Sequence, residues 1–89
     1  MNFMVIEHFP SSGIQSIYER FREKGRMMPE GLEFVSSWVT ADLSTCYQVM
    51  KTDDVTLLQQ WVAAWADLAE FEIQPVTSGS EVSKLSTPE

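Results

Sequence analysis

One amphipathic helix, predicted over residues 53–68 (DDVTLLQQWVAAWADL), constrains the fold most strongly. Its apolar side chains recur every three or four residues, which is the period of one helical face, and the run contains no Gly or Pro. Residues 52–54 (TDD) supply an N-cap and negative charge at the helix start. Trp61 and Trp65 lie one turn apart on the same side. Two indoles on one face need a broad apolar surface opposite them, which favours packing on a β-sheet.

The remaining elements are predicted from shorter patterns. A buried strand, FMVIEHF, is expected at residues 3–9 and ends at Pro10. Ser12 and Gln15 match a capping box, so a first helix should begin at Gly13. Three further strands are predicted. The evidence for them is either a high content of β-branched and aromatic residues or an alternation of polar with apolar residues. These strands are residues 32–40, 45–51 and 70–77, of which the first two form an antiparallel hairpin.

The predicted order is therefore β-α-β-β-α-β, an α+β fold. This order is typical of the ferredoxin-like sandwich, a four-stranded antiparallel sheet with two helices on one face. We expect this domain to span residues 1–77, followed by a flexible, Ser-rich C-terminal tail at residues 78–89. The first three strands are apolar or small on both sides, so the open sheet face should be covered. Pairing of two copies into a dimeric α/β barrel would cover it.

Composition narrows the classes of partner. The net charge of the 89-residue chain is −7, with 6 basic and 13 acidic residues. Nucleic acids and anionic membranes attract basic proteins, so we expect neither as a partner. A single cysteine, Cys46, cannot form an internal disulfide and suits a reducing cytoplasm. The N-terminal residues lack the basic region with which a signal peptide begins, so we expect no signal peptide. No apolar run is as long as a membrane span.

The sequence contains no recognisable catalytic or cofactor motif. One His and one Cys cannot supply a standard zinc site, and phosphate-loop, dinucleotide and nucleophile-elbow motifs are lacking. We therefore predict no metal and no cofactor. Four basic residues crowd the end of the first helix: Arg20, Arg22, Lys24 and Arg26. A solvated charged face explains most of them. Arg26 is the exception, because it lies where its side chain could reach an anionic ligand.

Polar residues within apolar strands are the other candidates for a ligand pocket. Glu7 and His8 end the first strand and must point to opposite faces, although the pattern does not show which faces the helices. Gln48 lies mid-strand and needs a hydrogen-bond partner if it is buried. Each of the other candidates also has a structural explanation: Cys46 as a small buried core residue, His8 as a structural histidine at the dimer seam, and Trp38 as core or interface packing. The candidate pocket residues are His8, Arg26, Trp38, Cys46 and Gln48.

Three stretches, YERFREKGRMMPEGLEFVSSWV, CYQVMKTDD and LLQQWVAAWADLAEFEIQPV, resemble the small bacterial proteins grouped as the "domain of unknown function 3303" family. The resemblance implies membership of the dimeric α/β-barrel superfamily, whose pockets lie between the sheet and its helices or at the barrel mouth. That superfamily includes cofactor-independent monooxygenases and muconolactone isomerases. The resemblance implies no activity, because the family it points to is itself uncharacterised. No catalytic motif of the wider superfamily maps residue by residue onto this chain.

Three functions remain open. The first is a homodimer that binds a small apolar or aromatic molecule between its sheets. The second is a cofactor-independent enzyme, resembling a monooxygenase or an isomerase, that uses His8, Gln48 and Trp38 for positioning and proton transfer. The third is a structural or interaction module whose sheet face serves only to dimerise. A cavity with His8 or Gln48 in its wall would favour the first two.

Overall fold

A computed structural model describes residues 1–85 of the chain. It has four strands and three helices, which follow the predicted order with one helix added at the end. In chain order they are β1 (Asn2–His8), α1 (Gln15–Lys24), β2 (Glu33–Val39), β3 (Thr45–Lys51), α2 (Val55–Trp65), β4 (Glu70–Val76) and α3 (Gly79–Leu85).

The four strands form one sheet in the order β2-β3-β1-β4, and every neighbouring pair is antiparallel. The α+β class and the antiparallel four-stranded sheet are thus confirmed. The strand order is compatible with the predicted ferredoxin-like sandwich, in which β1 and β3 occupy the centre. A register shift between Phe34 and Ser36 of β2 marks a bulge in the edge strand.

The burial pattern along β1 shows which of its side chains face the helices. Phe3, Val5 and Glu7 are buried, whereas the residues between them are only partly buried. Because alternate side chains point to opposite faces, these three share the helix-covered face. Phe3 and Val5 join one core cluster with Leu58 and Trp61 of α2.

The two helix starts differ in their capping. Asp54 caps α2 as expected, because its side chain accepts a hydrogen bond from the Thr56 amide at 3.0 Å. The predicted capping box of α1 is wrong: the N-cap is Ile14, without a side-chain hydrogen bond. The chain first makes a turn closed by the Gly13 amide on the Pro10 carbonyl, and this turn delays the helix.

One basic residue of α1 joins the two helices. Arg20 forms a bidentate ion pair with Asp67, with N–O distances of 2.8 and 2.7 Å, and also donates to the Ala64 carbonyl. The prediction of a solvated charged face is therefore wrong for Arg20, whose side chain is only 25% exposed. Paired geometry of this kind fixes the orientation of a guanidinium.

The C-terminal segment contains the helix that was not predicted. Residues 79–85 form α3, in which no residue is buried, and Val82 and Leu85 are exposed. Residues 86–89 of the predicted flexible tail lie outside the described residues. None of the helices within residues 1–85 has the length and apolar content needed to cross a membrane.

Candidate functional site

A cleft of about 120 Å³ lies between the sheet and the helix layer. It occupies the end of the sheet where β1 finishes, beyond the apolar core. An engineered apolar cavity of about 150 Å³ binds one benzene molecule, so the cleft is on the scale of a single aromatic ring. The lining is mostly aromatic and aliphatic with a few polar groups: Glu7, Phe9, Ile17, Tyr18, Phe21, Arg26, Ser37, Val39, Cys46, Gln48, Trp61, Trp65 and Phe71.

Strand register places the floor of the cleft. Glu7 of β1 lies directly between Cys46 of β3 and Phe71 of β4 in the antiparallel ladders. Gln48 pairs with Ser37 of β2 in the next row. All five residues line the cleft, so the polar groups occupy the positions where the helix-facing core would otherwise continue.

The roof is held by the two tryptophans of α2. The indole Nε1–H groups of Trp61 and Trp65 both donate to the backbone carbonyl of Arg26, at 2.8 and 3.0 Å. Gly25 and Met27, on either side, have positive φ angles of 66° and 58°. A non-glycine residue in this region is unusual and needs support from its surroundings. The two indoles supply that support and fix the loop after α1 over the cleft.

This loop brings the Arg26 guanidinium to the cleft. Its central carbon lies 3.7 Å from the ring centroid of Phe34 and 5.2 Å from that of Phe21. Such stacking orients a guanidinium without neutralising it. Among residues 1–85, no carboxylate lies within ion-pair distance of Arg26, which is only partly buried. Arg26 therefore places in the cleft a positive charge that has no ion-pair partner among the described residues.

The floor carries a buried carboxyl group. The Glu7 side chain is 7% exposed, and its Oε1 accepts a hydrogen bond from Gln48 Nε2 at 3.3 Å. Burial raises the pKa of Glu7 from 4.5 to about 7, because the charged form loses its hydration. Burial and the neighbouring Glu7 charge also raise the pKa of the Cys46 thiol to about 11. Cys46 is therefore an unreactive, protonated thiol at neutral pH.

The structure separates the predicted pocket residues into two groups. Arg26, Cys46 and Gln48 line the cleft, and Gln48 has the partner that its burial requires. His8 and Trp38 belong to the opposite, open sheet face. His8 Nε2 is hydrogen-bonded there to the Glu72 carboxylate, and Trp38 is 70% exposed.

Sequence reasoning left Glu7 and the tryptophan pair out of the candidate site. Glu7 is in phase with the buried residues Phe3 and Val5. Met4 and Ile6 make the other half of the alternation apolar as well, so the sequence carried no signal that singled out Glu7. Trp61 and Trp65 were assigned to the core, and they are indeed buried core residues. They also line the cleft.

Within residues 1–85, no group of three or more His, Cys, Asp or Glu side chains is placed to hold a metal ion. The cleft presents three polar groups among its aromatic rings: the Arg26 guanidinium, the Glu7 carboxyl group, whose pKa is about 7, and the Gln48 amide. Such a combination is typical of sites for small organic molecules.

The chain was compared with known protein families, curated proteins and solved structures. No curated protein and no solved structure matches it. The family model described as "Domain of unknown function (DUF3303)" matches residues 1–88, nearly the whole chain. The protein therefore belongs to the DUF3303 family.

Proposed function

We propose that the protein binds a small aromatic carboxylate in the cleft between its sheet and its helices. The observation that carries this proposal is the Arg26 guanidinium, which lines an aromatic cleft and has no ion-pair partner among the described residues. Guanidinium groups recognise carboxylates through paired hydrogen bonds. A ring would lie against Trp61 and Trp65, and its carboxylate would meet Arg26. This location differs from the between-sheet pocket expected from the sequence.

Calorimetric titration with phenylacetate and with its uncharged analogue phenylacetamide tests this proposal. We expect the wild-type protein to bind phenylacetate more tightly than phenylacetamide. Arg26→Ala should weaken phenylacetate binding about 10- to 100-fold, because a hydrogen bond to a charged group contributes about 1.5–3 kcal/mol. Arg26→Lys should lose less, because it keeps the charge but not the paired geometry.

Arg22→Ala is the matched control, because Arg22 is exposed on α1 and does not line the cleft. It removes the same charge from the protein and should leave the affinity for phenylacetate unchanged. Equal affinities for phenylacetate and phenylacetamide would contradict the proposal, as would full phenylacetate affinity in Arg26→Ala. Failure of both compounds to bind would instead favour the purely structural alternative.

The second part of the proposal is that two copies pair through the open sheet face into a dimeric α/β barrel. Trp38, Tyr47 and Ile6 are consecutive neighbours across three strands of this face. Trp38 is 70% and Tyr47 40% exposed. Contiguous exposed aromatic residues are characteristic of interfaces, and a two-fold axis would match this patch with itself. We also propose a cytoplasmic location, which suits the single, buried and free thiol of Cys46.

Trp38→Glu should abolish this dimer, because it places a carboxylate within the apolar patch, at its most exposed aromatic residue. Sedimentation equilibrium should give the wild type twice the chain mass of 10.1 kDa and the Trp38→Glu variant the mass of one chain. Val55→Glu is the control, because Val55 is 45% exposed at the start of α2, away from the sheet. A wild-type protein that sediments as a monomer at micromolar concentration would refute the dimer.

A further inference from the structure

The two oxygens of the Glu7 carboxyl group have different surroundings. Oε1 accepts the hydrogen bond from Gln48, and no other side chain within residues 1–85 is hydrogen-bonded to Glu7. Oε2 has no hydrogen-bond partner among these residues. Every fully buried side-chain oxygen or nitrogen in this part of the chain does have a partner, so Oε2 is not fully buried. The open space next to Glu7 is the cleft. One oxygen is anchored and the other is available to a ligand.

Among residues 1–85, no basic group lies within ion-pair distance of the Glu7 carboxyl group. The ionisable side chains that share the cleft are Tyr18 from α1, Arg26 from the following loop and Cys46 from β3, whereas α2 contributes only tryptophans. Arg26 acts on the Cys46 thiol, but burial alone accounts for the raised pKa of Glu7. Glu7 is therefore present in both protonation states near neutral pH, as proton transfer in both directions requires.

We infer that Glu7 transfers a proton within the bound ligand, so that the cleft catalyses keto–enol tautomerisation of a small aromatic 2-keto carboxylate. This inference rests on the proposed function, because the ligand carboxylate must be held by Arg26. The cation and the carboxyl group are separate features of one cleft, so a ligand with an anionic end and an acidic C–H bond satisfies both. The chemistry needs no cofactor, oxidant or metal.

The step balances within the ligand and Glu7. The Glu7 carboxylate removes a proton from C3 of the keto acid, and the C–H electron pair forms the C2–C3 double bond. The carbonyl π electrons move to oxygen, where the second N–H of Gln48 can donate to the developing enolate. Protonated Glu7 then delivers its proton to the enolate oxygen, which yields the enol, or returns it to C3. Nothing is oxidised or reduced.

Phenylpyruvate in deuterated water is the test substrate. Loss of its C3 proton signal in the NMR spectrum reports C–H cleavage, and calorimetry measures binding separately. We expect Glu7→Gln to slow protein-catalysed exchange at least about 100-fold while binding is kept, because a general base contributes about 10²- to 10⁴-fold. The wild-type exchange rate should rise as pH increases through about 7, when the Glu7 carboxylate forms.

Glu19→Gln is the matched control, because Glu19 is exposed on α1 and does not line the cleft. It should exchange phenylpyruvate at the wild-type rate. Binding without catalysed exchange would overturn the inference and leave the proposed function intact. Unchanged exchange in Glu7→Gln would also overturn it. Failure of phenylpyruvate and phenylacetate to bind would overturn both proposals.

Discussion

Glu7→Gln should stabilise the protein by about 2 kcal/mol at pH 8 and change its stability little at pH 4. Burial raises the Glu7 pKa from 4.5 to about 7, and each unit of pKa shift corresponds to about 1.4 kcal/mol. Access of water to the cleft screens the Glu7 charge, so the expected effect is smaller than the full pKa shift would give. Between these two pKa values the native state binds more protons than the unfolded state, so the Glu7 contribution to stability falls as pH rises. Gln is neutral at every pH and has no such loss.

Urea unfolding of the wild type, Glu7→Gln and Glu19→Gln at pH 4 and pH 8 measures this effect. Asp42, Asp54 and Asp67 have lowered pKa values from local hydrogen bonds. Their contributions have the opposite pH dependence but cancel in the difference between variant and wild type. A Glu7→Gln protein no more stable than the wild type at pH 8 would show that Glu7 is not a destabilised buried acid.

Trp61→Ala should lower the free energy of unfolding by about 3–5 kcal/mol, the usual cost of truncating a buried large aromatic side chain. The Trp61 side chain is 3% exposed and packs in the core cluster. The substitution also removes one of the two hydrogen bonds to the Arg26 carbonyl. Because small domains are stable by only about 5–15 kcal/mol, the variant should be close to unfolding.

Trp61→Phe separates packing from hydrogen bonding, since it keeps an aromatic ring but loses the indole N–H. We expect it to cost about 1–2 kcal/mol. It should also weaken phenylacetate binding, because the loop that presents Arg26 is held less firmly. Urea unfolding at one fixed protein concentration checks both variants, since pairing of chains would make stability depend on concentration. A loss below about 1 kcal/mol in Trp61→Ala would contradict the packing described for α2.

The sheet and the two main helices could be predicted because their patterns are strong and local. Every predicted strand agrees with the structure to within one residue at each end, and α2 lies inside the predicted helix. α3 was missed because its sequence, GSEVSKL, buries nothing and therefore carries no clear apolar periodicity.

The candidate site was only partly predictable, for a different physical reason. Alternation shows that Glu7 and His8 oppose each other, but both faces of β1 are apolar, with Phe3 and Val5 on one and Met4 and Ile6 on the other. The phase that faces the helices is therefore decided by tertiary packing.

The contact that builds the roof of the cleft is also invisible in the sequence. Trp61 and Trp65 reach the Arg26 carbonyl across 35 and 39 residues of chain. Their spacing predicted a shared helical face, which is correct, but not that their N–H groups would hold a distant loop. The α2 helix that identifies the fold therefore also shapes the candidate site.

The three indole N–H groups make a direct test of where a ligand binds, because they report on both sides of the sheet. Trp61 and Trp65 line the cleft, and Trp38 is exposed on the open face. Titration of the ¹⁵N-labelled protein with phenylacetate should shift the Trp61 and Trp65 indole resonances and leave that of Trp38 unchanged. A shift confined to Trp38, or no shift at any of the three, would contradict a ligand site between the sheet and its helices.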